Sequence, residues 1–279
     1  MEIVLAKSAG FCFGVKRAVN MAFKAAEEDQ NICSLGPLIH SPQLVERLEA
    51  EGISVINDIH ALQDQSVIVR SHGITRQEEE HLYTNKLKVV DATCPFVKKA
   101  QKYAELLGSE GYCVVIVGEK EHPEVQGILS YVQNAEVFVA ADVEAAALLP
   151  LGKRVGLVAQ TTQSYENFSS IALKLLERSK ELRIFNTICD ATAVRQHEAR
   201  TLAEAVDVML VVGGYNSANT NRLARICSEI QPLTYHLETA NEILPEWFTG
   251  VERVGITAGA STPEWIIREV LLRLEKIQK

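Results

Sequence analysis

The chain has 279 residues, 47% hydrophobic and 23% charged, with a formal charge of −8, the balance of a globular protein able to bury a firm core. The negative charge argues against a general nucleic-acid surface, which needs a net basic face, and no apolar run approaches the roughly 20 residues that span a bilayer. The opening MEIVLAKSAG is too short in its apolar part for a secretory leader, so the six cysteines read as free or metal-bound thiols in a reducing cytoplasm.

Short β-branched runs alternate with helical patterns throughout, the signature of α/β architecture with parallel sheets. Strands are expected at 2–6, 31–35, 53–56, 66–70 and 87–91, then at 112–118, 136–140, 154–160 and 182–188. The last set is 207–212, 233–237 and 253–258. Helices are expected at 14–28, 42–51, 76–84, 95–109, 124–132, 165–180, 192–205, 218–230 and 263–277. Ser41-Pro42 and Thr262-Pro263 each place a capping hydroxyl before a proline at the first helical position. No low-complexity stretch or Pro/Gly/Ser linker separates the parts, so lobes must pack directly.

One module occurs three times. Cys12 lies in KSAGFCFGVKRAV, Cys94 in VVDATCPFVKKAQ and Cys189 in FNTICDATAVRQHE. Each follows a short apolar run and precedes a helix-like stretch. Gly36, Gly118 and Gly213 each stand 24 residues past their cysteine, and His40, His122 and Ser217 stand four further on. A later apolar run in each module ends in another polar residue: His72 after SVIVRS, Thr161 after VGLVAQ, Ser261 after VGITAGA. A threefold repeat places equivalent residues around an axis, so three thiolates and two rings of polar groups should converge.

Two strand assignments fit this repeat. If each cysteine-bearing strand completes the sheet of the module before it, the third lobe borrows strand 2–6 from the N-terminus and the chain closes into a ring. If that strand belongs with the helix after it, each lobe again has four strands, so counting leaves both open. The closed ring is the favoured reading, with lobes 13–93, 94–188 and 189–279, and segment 1–12 completing the third sheet.

Zinc sites usually show C-x-x-C pairs, and none occurs here. Three isolated thiols at strand-to-helix turns suit a cluster at a lobe junction, because a helix N-terminus favours the thiolate. An iron–sulfur cluster normally takes four thiolates; three would leave one iron open to act as a Lewis acid on a substrate oxygen. The expected fold class is therefore α/β, three pseudo-symmetric lobes with small, mainly parallel sheets around a central iron–sulfur cluster. Cys33, Cys113 and Cys227 lie at apolar or helical positions without the turn and read as core.

His40, His72, His122, Ser217, Asn219 and Ser261 are neutral or switchable donors at strand ends or helix starts, where parallel α/β folds bind anions. Ser217 and Ser261 could instead be simple helix caps. Glu124 opens a helix two residues past His122, where a carboxyl is usually a first-turn charge. Brought to the cavity, it would be the evident proton donor, with Thr161 orienting it or the substrate hydroxyl.

Together AGFCFGVKRA, RSHGIT, DATCPFV, HPEVQG, QTT, ICDATAVRQ, NSANTNRL and TAGAS resemble the 4-hydroxy-3-methylbut-2-enyl diphosphate reductases, the last enzymes of the methylerythritol phosphate route to isoprenoids. The resemblance runs from Cys12 to the helix after Ser261. It implies one 4Fe–4S cluster per chain held by Cys12, Cys94 and Cys189, and diphosphate binding by His40, His72, His122, Ser217, Asn219 and Ser261. It further implies Glu124 as proton source, with Thr161 near the substrate alcohol and Thr162 able to share that task. Many relatives carry serine where this chain has Ala218.

The activity so implied is reduction of the hydroxymethylbutenyl diphosphate to isopentenyl and dimethylallyl diphosphate, with the substrate oxygen on the open iron. The bound diphosphate could itself deliver the final proton. No G-x-G-x-x-G is present, so electrons must come from a separate donor, by resemblance a ferredoxin or flavodoxin. Basic residues after Cys12 and Cys94 could dock it. A monomer in the cytoplasm, with no nucleic-acid or membrane partner, completes the expectation. The alternative is a non-redox iron–sulfur hydro-lyase acting on a small anionic hydroxy substrate, which would turn over without reductant.

Overall fold

The computed structural model describes residues 1–278; Lys279, the last residue of the expected third lobe, lies outside them. In chain order the chain runs β1 (Glu2–Leu5), α1 (Phe13–Glu28), β2 (Ile32–Leu35), α2 (Pro42–Ala50), β3 (Ser54–Ile56), β4 (Ser66–Val69), α3 (Arg76–Thr84) and β5 (Val89–Asp91). It continues with α4 (Pro95–Ser109), β6 (Cys113–Val117), α5 (Pro123–Tyr131), β7 (Val137–Ala140), α6 (Val143–Leu148), β8 (Arg154–Ala159), α7 (Tyr165–Leu176) and β9 (Glu181–Ile184). The last part holds α8 (Asp190–Ala203), β10 (Val208–Val212), α9 (Ala218–Ile230), β11 (Thr234–Leu237), β12 (Arg253–Ala258) and α10 (Glu264–Ile277).

These elements fall into two compact units. One comprises Arg17–Leu38 and Leu48–Cys189 and carries two four-stranded sheets, β3-β2-β4-β5 and β7-β6-β8-β9. The other comprises Met1–Lys16, Ile39–Arg47 and Asp190–Lys279 and carries one sheet, β1-β12-β10-β11. All three sheets are parallel throughout. Their central strands read as continuous apolar runs, such as Cys113–Val117, because helices cover both faces. In the first unit Val115, Leu157 and Ile171 pack on one side of the β6-β8 pair, while Val114, Ile116 and Leu107 pack on the other. In the second, Val208, Leu210 and Ile256 face α10, and Met209 and Val211 face α8 and α9.

The open question of strand ownership is decided by pairing. β1 lies beside β12 in register Ile3↔Val254, so the N-terminal strand completes the sheet built from residues 208–258. In every sheet the strand leading to the cysteine, β1, β5 or β9, is an edge strand.

Several local expectations shift. The strand expected at 182–188 ends at Ile184, and a short helix at 143–148 carries no long apolar period to announce it. The Ser41 hydroxyl oxygen does cap, accepting from Leu44 N at 3.4 Å. Thr262 does not cap: α10 begins at Glu264 after Pro263, and the Thr262 hydroxyl donates to Val212 O at 2.9 Å. The carbonyl of a buried strand end outcompetes a helix start that proline already leaves with one fewer orphan donor. Cys33 and Cys227 are fully buried and Cys113 nearly so, in the core as expected. No helix among the described residues is long and apolar enough to cross a membrane.

Candidate active site

The three modules end their strands alike. Gly36, Gly118 and Gly213 each stand one residue past β2, β6 and β10, and each N–H donates to the last residue of the neighbouring strand, Ile56, Ala140 and Leu237, at 2.8 to 3.0 Å. At Gly213, φ is +145° and an added Cβ would lie 2.4 Å from Thr262 Oγ1, so only glycine fits.

Each cysteine occupies the residue before its helix: Cys12 before α1, Cys94 before α4, Cys189 before α8. Each cysteine N–H donates to the carbonyl two residues past the end of the adjacent strand. Cys94 reaches Ser71 O and Cys189 reaches Thr161 O, both at 2.9 Å, and Cys12 reaches Ala260 O at 3.1 Å. All three thiols are partly exposed, unlike the three core cysteines. Cys94 is the N-cap of α4 without a side-chain capping bond, and Cys12 Sγ accepts from Val15 N at 3.5 Å.

This common bond resets the repeat by one residue. Ser71, Thr161 and Ala260 are equivalent, so the partners of His72 and Ser261 in the repeat are at Thr162, not Thr161. Two threonines in succession, Thr161 and Thr162, follow the run VGLVAQ, and the run by itself does not choose between them.

In the unit containing residues 48–189, His122 is the N-cap of α5; its Nδ1 accepts from Glu124 N at 3.1 Å. Its ring meets that of His72 edge to face, centroids 5.5 Å apart. Glu124 is 1% exposed. Its Oε1 accepts from Thr161 N at 2.6 Å and its Oε2 from Thr161 Oγ1 at 3.0 Å. Burial, with a smaller push from Glu119, raises its pKa to about 7 against the pull of these two bonds. Thr161 is buried and Thr162 half-buried beside it. Sequence reasoning passed over Gln160, which is fully buried; its Oε1 accepts from Glu119 N at 3.1 Å, and its Nε2 has no partner among the described residues. Its place directly before Thr161 at a strand end was the available signal.

In the other unit Ser217 is the N-cap of α9, its Oγ accepting from Thr220 N at 3.3 Å, which leaves the hydroxyl hydrogen to donate elsewhere. Ser261 does not cap; its hydroxyl donates to His40 O at 3.2 Å. Ala218 is the first residue of α9, and Asn219 beside it is 5% exposed. Neither Nδ2 nor Oδ1 of Asn219 has a hydrogen-bond partner among the described residues. A buried, unpaired amide costs ~1–3 kcal/mol, so Asn219→Leu is expected to raise the thermal unfolding midpoint by a few degrees. The same variant should raise KM for an anionic substrate several-fold; calorimetry and steady-state kinetics check the pair.

Comparison with known proteins gives the family. The model of the LytB protein family matches residues 3–275. The 4-hydroxy-3-methylbut-2-enyl diphosphate reductase of Syntrophotalea carbinolica is 61% identical over all 279 residues, covering the whole of both chains. That of Geobacter sulfurreducens is 58% identical, covering 99% of this chain and 98% of its own. Among solved structures, (E)-4-hydroxy-3-methyl-but-2-enyl diphosphate reductase, described as the terminal enzyme of the non-mevalonate pathway, matches with a TM-score of 0.72 at 47% identity, covering 99% of this chain and 100% of its own. The Plasmodium falciparum E-1-hydroxy-2-methyl-but-2-enyl-4-diphosphate reductase matches with a TM-score of 0.92 at 26% identity, covering 100% and 88%. A match this long, over a chain with the repeat's cysteines intact, makes it a member of the LytB family.

Proposed function

We propose that the chain reduces (E)-4-hydroxy-3-methylbut-2-enyl diphosphate to isopentenyl and dimethylallyl diphosphate. The observation that carries this is the position of Thr161. Its N–H and hydroxyl hold the buried Glu124 carboxyl, and its carbonyl holds the Cys189 N–H. One residue thus ties a proton-holding acid to a thiol at a helix start, and removal of a hydroxyl as water needs an acid beside the electron source.

The residues fit an iron–sulfur group. Cys12, Cys94 and Cys189 are the partly exposed thiols, each heading a helix, whereas burial lifts the Cys33 thiol to about 11 and the Cys227 thiol to about 12. A helix N-terminus favours the anionic sulfur that a cluster requires. Cys12, Cys94 and Cys189 are assigned as ligands of one 4Fe–4S cluster, with lobes 13–93, 94–188 and 189–279 plus segment 1–12 as its framework. When bound, such a cluster supplies single electrons and one iron without a protein ligand.

The chain's own residues do the rest. His40, His72, His122, Ser217, Asn219 and Ser261 bind the diphosphate; the unpaired Asn219 amide supports this reading. Thr161 orients Glu124, Thr162 shares contact with the substrate alcohol, and Glu124 gives its proton to the leaving oxygen. The diphosphate supplies the final proton. A ferredoxin or flavodoxin delivers electrons to a monomer in the cytoplasm, and exposed Lys98 and Lys99 after Cys94 suit an acidic carrier.

Turnover is expected to fall as pH rises through about 7, because Glu124 must be protonated to act. Stability should carry the same signature. Burial raises the folded pKa above the ordinary value of 4.5, so the native state holds the extra proton between pH 4.5 and about 7. This contribution is full below pH 4.5 and lost as pH rises through about 7. Glu124→Gln should therefore grow more stable relative to the parent across that window, read by denaturant titrations at several pH values.

The test of the function is an anaerobic assay on cluster-loaded protein with and without a one-electron reductant. Formation of the two isoprenoid diphosphates only with reductant supports the proposal; loss of water without reductant sinks it.

A further inference from the structure

The segment leading from β1 to Cys12 belongs to no helix or strand, yet it must present a thiol. β12 and its following turn satisfy part of it: Ala6 N donates to Ile256 O at 2.8 Å and Cys12 N to Ala260 O at 3.1 Å. The rest is held by two side chains of α8. Glu198 Oε1 accepts from Lys7 N at 2.6 Å, and its Oε2 accepts from Ser8 N at 2.8 Å and from the Ser8 hydroxyl. Arg195 Nη2 donates to Ser8 O and, at 2.7 Å, to Gly10 O.

Arg195 is 3% exposed. A buried guanidinium is costly unless its donors are used, and its Nη2 is spent on two carbonyls of the backbone just before Cys12. Gly10 has φ +96°, and a Cβ there would sit 3.1 Å from Ile267 Cδ1. The loop therefore has one shape, set from both sides. Residues three apart on a helix lie on one face, so Arg195 and Glu198 act as a single clamp.

We propose that Arg195 and Glu198 are positioning residues for Cys12, holding the Lys7–Gly10 loop so that the thiol stands in its ligating pose. The proposal rests on the reading of Cys12 as a cluster ligand. The device recurs within the other unit. Arg17 donates to Thr93 O at 3.1 Å and Asp91 O at 3.5 Å, on the approach to Cys94. There too, Tyr103 stacks on Phe185, centroids 4.0 Å apart, on the approach to Cys189. By sequence, Arg17 stands in the helix after Cys12, Tyr103 in the helix after Cys94 and Arg195 in the helix after Cys189. Each cysteine's approach is gripped from the helix that follows a different cysteine. The chemistry of the grip differs from module to module while its place is kept, which ties it to presenting the cysteine.

The test uses Arg195→Met, Arg195→Lys and Glu198→Gln in the full chain, with Cys12→Ser as control. In cluster-loaded protein, iron release to excess chelator should be about tenfold faster in Arg195→Met and Glu198→Gln, the effect of losing roughly one strong hydrogen bond. The EPR signal of the reduced protein should change, and Arg195→Lys should restore part of the rate. In cluster-free full chain, alkylation of Cys12 relative to Cys94, followed by mass spectrometry, should rise in both variants. The two substitutions change charge in opposite directions, so a rise in both marks position. Opposite shifts would mark a charge effect and overturn the clamp, as would unchanged iron release with an unchanged Cys12-to-Cys94 ratio. Cys12→Ser retaining its full iron would instead overturn the ligand reading beneath it. Should Arg195→Met fail to fold, the milder Glu198→Gln decides alone.

Discussion

Glu124→Gln is expected to lower turnover by about 10²–10⁴-fold, the usual worth of a positioned general acid, while iron and sulfide content stay at the parent's level. The argument is geometric. The carboxyl is 1% exposed and both its oxygens are engaged by Thr161, so glutamine fits the same space and keeps the bond from Thr161 N. What it loses is the exchangeable proton that a pKa of about 7 keeps available at neutral pH. Thr161→Val removes the hydroxyl that orients the acid and should give a smaller loss with a shifted pH profile. Single-turnover measurements on loaded protein check both. Turnover of Glu124→Gln at the parent's rate would remove Glu124 from the mechanism and leave the cluster assignment standing.

Serine at Cys12, Cys94 or Cys189 is expected to strip the protein of most bound iron and to abolish turnover. Alanine at Cys33 or Cys227 should leave the iron content unchanged. The two groups differ in setting rather than in residue type. Cys94 and Cys189 head helices and hold their N–H groups on equivalent carbonyls, whereas Cys33 and Cys227 are sealed among apolar side chains. Core substitutions should cost stability instead, of order 1 kcal/mol for so small a cavity. Metal analysis beside thermal unfolding separates the outcomes. Full iron in Cys94→Ser would refute the three-thiol assignment.

Asn219 shows how stability and binding diverge. Two unpaired amide atoms beneath the first turn of α9 oppose folding, and a protein that retains them gains something other than stability.

Much was legible in the sequence because it is local. Alternating β-branched runs and helical periods placed the strands and most of the helices within a few residues. The helix after Cys94 was legible from its own first residue, Pro95, whereas the helices after Cys12 and Cys189 were expected from 14 and 192 and start one and two residues earlier, at Phe13 and Asp190. The constant spacing from cysteine to glycine carried the repeat itself, and the resemblance supplied the roles.

The tertiary structure decided what depends on distant partners. Two strand assignments gave the same count, and only the pairing of β1 with β12 chose between them. The apolar runs aligned Thr161 with His72 and Ser261; the hydrogen bond from Cys189 moved that equivalence to Thr162 and gave Thr161 to Glu124. Thr262 looked like a cap from its neighbour Pro263 but spends its hydroxyl on Val212. Helix starts, strands and spacing are set by interactions within a few residues, which composition and period record. The partner of a buried polar group is set by whichever distant strand end packing brings within about 3 Å, and nothing in the linear order records that choice.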